Sequence, residues 1–218
     1  MANLFLFDID GTLVNLTDVH AQAYLKAYKD VLDIEIPREQ IIIQFSKTER
    51  PMHEEVFQEL GIKDDGRIDK VIQAFEKYDV KAIQSADIEP LPGVVDFLEH
   101  LVNTDEYIGV ITGCIPTVGS SILRRLDLSR YFTIFSYDTG LPSRVEIVKN
   151  AIGQADAKKY NYQRIVVIGD TEKDITSGKA VNAFTVGVAT GHAPKSSLYE
   201  ADLVLDTLVE YNKIMEAV

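Results

Sequence analysis

Residues Asn3–Asn15 read NLFLFDIDGTLVN. Four successive apolar residues, Leu4 to Phe7, have the character of a buried strand, and they run directly into Asp8, Asp10, Gly11 and Thr12. Two carboxylates therefore stand where a buried strand opens into a turn. Ionised side chains in such a place require a cation or several hydrogen-bond donors. On its own the stretch also fits a plain Asp-Gly turn, so the choice rests on the residues that follow.

From Leu16 to Ser85 the pattern is helical. Apolar residues recur at Leu16, Val19, Ala23, Ala27 and Val31, and further helical pattern covers Arg38–Phe45, Met52–Leu60 and Arg67–Ile83, interrupted by Pro37, Pro51 and Gly61. From Asp87 onward strands and helices alternate. Strands are expected at Tyr107–Ile111, Tyr131–Phe135, Ile165–Ile168, Phe184–Val188 and Leu203–Leu205. Helices are expected at Val94–Leu101, Pro116–Leu126, Ser143–Ile152, Glu172–Val181 and Thr207–Ala217. Continuous apolar strands alternating with helices predict an α/β fold, a Rossmann-like parallel sheet with helices on both faces. The opening strand belongs to that sheet. The expected organisation is a core of residues 1–15 and 87–218, interrupted by a helical insertion at 16–86 whose two crossings form a paired hinge.

A chain of 218 residues, 46% hydrophobic and 26% charged, has the composition of an ordinary folded protein with a full core. Its net charge of −12 argues against nucleic acid or an anionic membrane as a partner, because both select basic surfaces. It does not exclude an anionic small molecule, since a bound divalent cation reverses the field within one pocket. The single cysteine, Cys114, rules out an internal disulfide, and the N-terminal apolar run stops at Asp8 with no basic segment before it. A cytoplasmic protein, monomeric or homodimeric, is expected.

In an open parallel sheet, ligands bind beyond the carboxyl ends of the strands. Thr112-Gly113-Cys114 follows one predicted strand and Gly169-Asp170-Thr171-Glu172-Lys173-Asp174 another, while the segment after Phe135 leads to Arg144. Asp8 and Asp170 can share one hard cation, with Asp174 one helical turn farther on. Magnesium suits such sparse oxygen ligation, since water and a substrate phosphate complete its octahedron. Thr112 and the Gly113 N–H, ahead of a helix, suit a phosphate oxygen. Each group alone has an ordinary structural explanation, as a turn, a helix cap or a surface cation. Their convergence on one sheet edge is what argues for a site.

These residues resemble the haloacid dehalogenase superfamily over essentially the whole chain: DIDGTLV at Asp8–Val14, ITG at Ile111–Gly113 and GDTEKDI at Gly169–Ile175. The resemblance implies a Rossmann-like core with a helical cap inserted after the first motif. It implies that Asp8 is the nucleophile that becomes an aspartyl phosphate and that Asp10 is the general acid, then the base. It further implies magnesium held by Asp8, the Asp10 carbonyl and Asp170 with Asp174 in support, and a phosphoryl group held by Thr112 and Gly113. The second aspartate distinguishes phosphatases and phosphomutases from the dehalogenases. One departure concerns the phosphate-binding cation: where many relatives have Gly-Lys-Pro, this chain has Gly140-Leu141-Pro142. Arg144 is the preferred replacement, because Lys149 lies about 7–8 Å farther along the helix.

The cap is expected to set the substrate through the polar run Ser46-Lys47-Thr48-Glu49-Arg50, with Lys47 and Arg50 reaching in. His20 reads as an exposed helical residue. The segment VGVATGHAP at 186–194 resembles the phosphoglycolate phosphatases, though it also fits a loop supporting the core. A magnesium-dependent phosphatase for a phosphoglycolate-like monoester leads, followed by a β-phosphoglucomutase-like enzyme and then a non-catalytic phosphate-binding scaffold.

Overall fold

The computed structural model describes residues 2–218. Six parallel strands form one sheet: β1 (Ala2–Phe7), β2 (Tyr107–Ile111), β3 (Ile134–Ser136), β4 (Tyr162–Gly169), β5 (Phe184–Val188) and β6 (Leu203–Leu205). Their order is β3-β2-β1-β4-β5-β6, so the chain builds outward from β1 on one side and then crosses back to its other side. That reversal puts the binding crevice between the ends of β1 and β4. Register fixes the geometry: Phe7 lies opposite Val110 of β2 and Ile168 of β4, so Asp8 and Asp170 emerge from adjacent strand ends.

Alternation along β1 divides the core. Phe5 and Phe7 face α5 (Val94–Asn103), where Phe97 meets both rings edge-on at 5.9 and 5.6 Å. Leu4 and Leu6 face the other way and cluster with Ile147, Val148 and Ala151 of α7 (Arg144–Ala157). With both faces covered and Leu4 to Phe7 wholly buried, the continuous apolar run is explained. The remaining helices beside the sheet are α6 (Pro116–Arg125), α8 (Glu172–Lys179) and α9 (Asn212–Ala217).

Between β1 and α5 the chain forms α1 (Thr17–Leu32), α2 (Arg38–Ile42), α3 (Glu49–Glu59) and α4 (Arg67–Ser85), with no strand among them. Pro51 falls inside the first turn of α3 instead of preceding it, a position where a missing N–H costs no intrahelical bond. Two other expectations need correction. Residues Ser129–Tyr131 make a 3-10 turn and the edge strand begins only at Ile134, and the C-terminal segment splits into a 3-10 turn at Leu208–Glu210 followed by α9. Helix α1 also buries a different stripe from the one its aliphatic letters suggest: His20, Ala23, Tyr24, Ala27 and Tyr28 are buried, whereas Val19 and Val31 are only partly so.

Candidate active site

At the switch point Asp8, Asp10, Thr112, Gly113, Arg144 and Asp170 line one cavity of about 80 Å³. Arg144 is the first residue of α7, where the helix dipole disfavours a cation, yet its side chain is only 9% exposed. Carboxylates compensate. Its Nη2 donates to Asp8 Oδ1 at 2.9 Å and also to Asp174 Oδ1. Lys149, in contrast, is half exposed and pairs with Glu146 at 2.8 Å. Asp174 serves twice, because its second oxygen accepts the Thr171 N–H at 3.1 Å and hydroxyl at 2.8 Å, capping α8.

Asp170 is different. It is 2% exposed, and neither carboxylate oxygen has a hydrogen-bond partner among the described residues. Glycines allow it to sit there: a methyl built on Gly11, whose φ is +80°, or on Gly191 would overlap its carboxylate. One carboxylate oxygen from each of Asp8, Asp170 and Asp174 lies within 4.8 Å of the others. Three buried carboxylates, of which only Asp8 and Asp174 bond the guanidinium, form a donor set that fits a hard cation.

Burial pushes the Asp8 carboxyl up to about 7, against the pull of Arg144 and with Asp174 adding to the rise. Burial likewise raises Asp10, although His20 and the Leu16 N–H, which Asp10 Oδ1 accepts at 2.6 Å, oppose it. Asp170 is raised by burial and by the neighbouring Asp174, Asp8 and Asp10. Thr112 Oγ1 accepts the Cys114 N–H at 3.1 Å, which leaves its own hydrogen free to donate into the cavity.

The inserted helices supply the opposite wall. Lys47 lines the cavity, and its carbonyl would stand 3.0 Å from a methyl on Gly113, but its ammonium turns to Gln44 and Glu55. Arg50 is not brought to the cavity; it pairs with Asp69 and lies 3.7 Å from Asp64. Within the polar run it is Glu49, with Lys47, that lines the cavity; Asp79 has no counterpart among the expected residues, and His20 is buried where an exposed helical residue is expected. His20 is 5% exposed, lines the cavity and donates from Nδ1 to Asp79 Oδ1 at 2.9 Å. Asp138, after β3, accepts the Glu49 N–H at 2.8 Å with one oxygen and the Gly140 and Leu141 N–H groups at 2.8 and 3.1 Å with the other.

A doubly wound sheet with carboxylates from two adjacent strand ends around a buried guanidinium defines an α/β enzyme with an acidic centre. The model of the haloacid dehalogenase-like hydrolases matches residues 5–188, and the chain belongs to that family. Over 98% of its length it is 24% identical to the pyrophosphatase PpaX of Anoxybacillus flavithermus, covering 96% of that protein. It is 23% identical to a phosphoglycolate phosphatase of Agrobacterium fabrum, with 94% of this chain and 89% of the relative covered. The fold matches the crystal structure of β-phosphoglucomutase from Clostridium difficile with a TM-score of 0.83 at 21% identity, covering 99% of this chain and 96% of that one. Among the described residues no helix is long and apolar enough to cross a membrane.

Proposed function

We propose that this hydrolase is a magnesium-dependent phosphatase for a small organic phosphate monoester, working through a phosphoryl group carried on Asp8. Asp170 carries the argument: a buried carboxylate without a partner, beside Asp8 and Asp174, is the cradle of a divalent cation. The names of the pyrophosphatase and phosphoglycolate phosphatase relatives support phosphorus as the reacting atom. In this reading residues 16–86 are a cap over a catalytic core of residues 1–15 and 87–218.

Asp8 uses one carboxylate oxygen to attack phosphorus, and the bond to the leaving oxygen breaks. Asp10 protonates that oxygen. Its Oδ1 is held by the Leu16 N–H, its other oxygen is available, and burial raises its pKa above the ordinary carboxylate value, the direction that a proton donor needs. Asp10 then takes a proton from a water that attacks phosphorus, and the P–O bond to Asp8 breaks, releasing phosphate and free Asp8. Arg144, the Thr112 hydroxyl and the Gly113 N–H hold the phosphoryl oxygens. Magnesium bound by Asp8, Asp170 and the Asp10 carbonyl, with Asp174 in support, would neutralise charge on the phosphoryl group.

Release of phosphate from 4-nitrophenyl phosphate, with and without magnesium, tests the reading. Turnover should require the metal and vanish in Asp8→Asn. Folded protein that hydrolyses no phosphomonoester at all would overturn it.

A further inference from the structure

The wall contributed by the inserted helices carries polar atoms that the chemistry above leaves unused. Glu49 opens α3 and lines the cavity. Its Oε1 accepts the Tyr24 hydroxyl at 2.6 Å, while its buried Oε2 has no hydrogen bond among the described residues and lies 3.4 Å from His53 Nε2, an ion-pair contact only when that histidine is protonated. On α1, His20 gives one ring nitrogen to Asp79, and its buried Nε2 has no partner among the described residues. Burial alone would discharge this imidazole, but Asp79, Asp10 and Glu49 outweigh it and lift His20 to about 9, so Nε2 carries a hydrogen at neutral pH. Between these groups stands an apolar surface in which the Tyr24 and Phe75 rings stack at 3.7 Å.

We propose that Glu49 and His20 form the leaving-group subsite and that it takes a small polyol phosphate, one hydroxyl donating to Glu49 Oε2 and another accepting from His20 Nε2. The proposal rests on the phosphatase reading and narrows it. Each unsatisfied buried atom is costly until a ligand supplies its complement, and a polyol supplies one donor and one acceptor at once. Its C–H faces suit the aromatic surface. A leaving group ending in carboxylate or phosphate fits poorly, because it brings a like charge against Glu49 while the charge of His20 is already matched by Asp79 at 2.9 Å. The cations of the same segment are engaged elsewhere, Lys47 by Gln44 and Glu55 and Arg50 by Asp69. The subsite thus turns away from a phosphoglycolate-like ester, toward neutral hydroxyls.

The test compares kcat/KM for glycerol 1-phosphate and erythritol 4-phosphate with that for 2-phosphoglycolate and pyrophosphate, using 4-nitrophenyl phosphate as the reference. Wild-type protein should prefer the better polyol phosphate over both anionic esters by about ten- to a hundredfold, the worth of one hydrogen bond to a charged group. Glu49→Gln should shrink that ratio about tenfold or more, chiefly by improving 2-phosphoglycolate. Equal or better turnover of 2-phosphoglycolate or pyrophosphate by wild-type protein overturns the proposal, and this arm needs no variant to fold. So does an unchanged ratio in folded Glu49→Gln. In either case, continued magnesium-dependent hydrolysis of the aryl phosphate leaves the phosphatase reading standing. Loss of that activity in wild-type protein removes both.

Discussion

Arg144→Ala separates the buried guanidinium from its neighbours more sharply than any other substitution. In the folded protein Arg144 is 9% exposed and bonds Asp8 at 2.9 Å as well as Asp174. Removing one side of a buried ion pair destabilises by about 3–5 kcal/mol, because the remaining charge is stranded. Losing one preorganised donor to a developing anion costs about 2.7–4 kcal/mol of barrier, or about 10²–10³ in kcat. Lys149→Ala provides the contrast: its pair with Glu146 has side chains 54% and 40% exposed, and such surface pairs contribute about 0–1 kcal/mol. Steady-state hydrolysis of 4-nitrophenyl phosphate with saturating magnesium should therefore fall about 10²–10³-fold in Arg144→Ala and change little in Lys149→Ala, with thermal melts confirming that both remain folded. Arg144→Lys should fall between them, since an ammonium keeps the charge but loses the planar fork. A loss in Lys149→Ala as large as that in Arg144→Ala would refute the reasoning, as would near-wild-type turnover in folded Arg144→Ala.

Asp170→Asn should raise the melting temperature of metal-free protein, because it removes a crowded buried charge, and should abolish the additional stabilisation by magnesium; melts with and without magnesium check both halves. His20 has a folded pKa of about 9, above the usual value near 6.5, so its contribution is fully present below about pH 6.5 and is lost as pH rises through about 9. That contribution is on the order of 3 kcal/mol, and denaturant melts should show it shrinking across this window in wild-type protein but not in Asp79→Asn; equal slopes would contradict it. Gly11→Ala forces a left-handed residue with a methyl into Asp170, so a loss of about 2–4 kcal/mol together with weaker magnesium binding is expected by melting and titration.

The strand-end residues were legible in sequence for a physical reason. Asp8, Thr112, Gly113 and Asp170 each follow an apolar strand directly, so recognising the strand placed the residue on the binding edge. Arg144 was legible as the start of a helix arriving at that edge. The opposite wall obeyed no such rule. A charged or amphipathic residue within a helix looks solvent-facing, and only tertiary packing reveals that Asp79 waits 59 positions away to bury His20. Aliphatic periodicity alone also misplaced the buried stripe of α1, where Tyr24 and Tyr28 fill the interior. Glu49 and Arg50 show how fine the distinction is: adjacent helical residues point about 100° apart, so one enters the cavity and the other leaves it.

The two oxygens of Asp138 divide their bonds between opposite banks of the cavity: one receives the first N–H of α3, the other two N–H groups of the turn before α7. Helix α3 begins with Glu49 and α7 with Arg144, so a single carboxylate ties together the two helix starts that, in the proposed reading, face the leaving group and the phosphoryl group. Asp138 acts as a clasp. Any outward swing of α3 from the sheet edge must first break the 2.8 Å bond at that point.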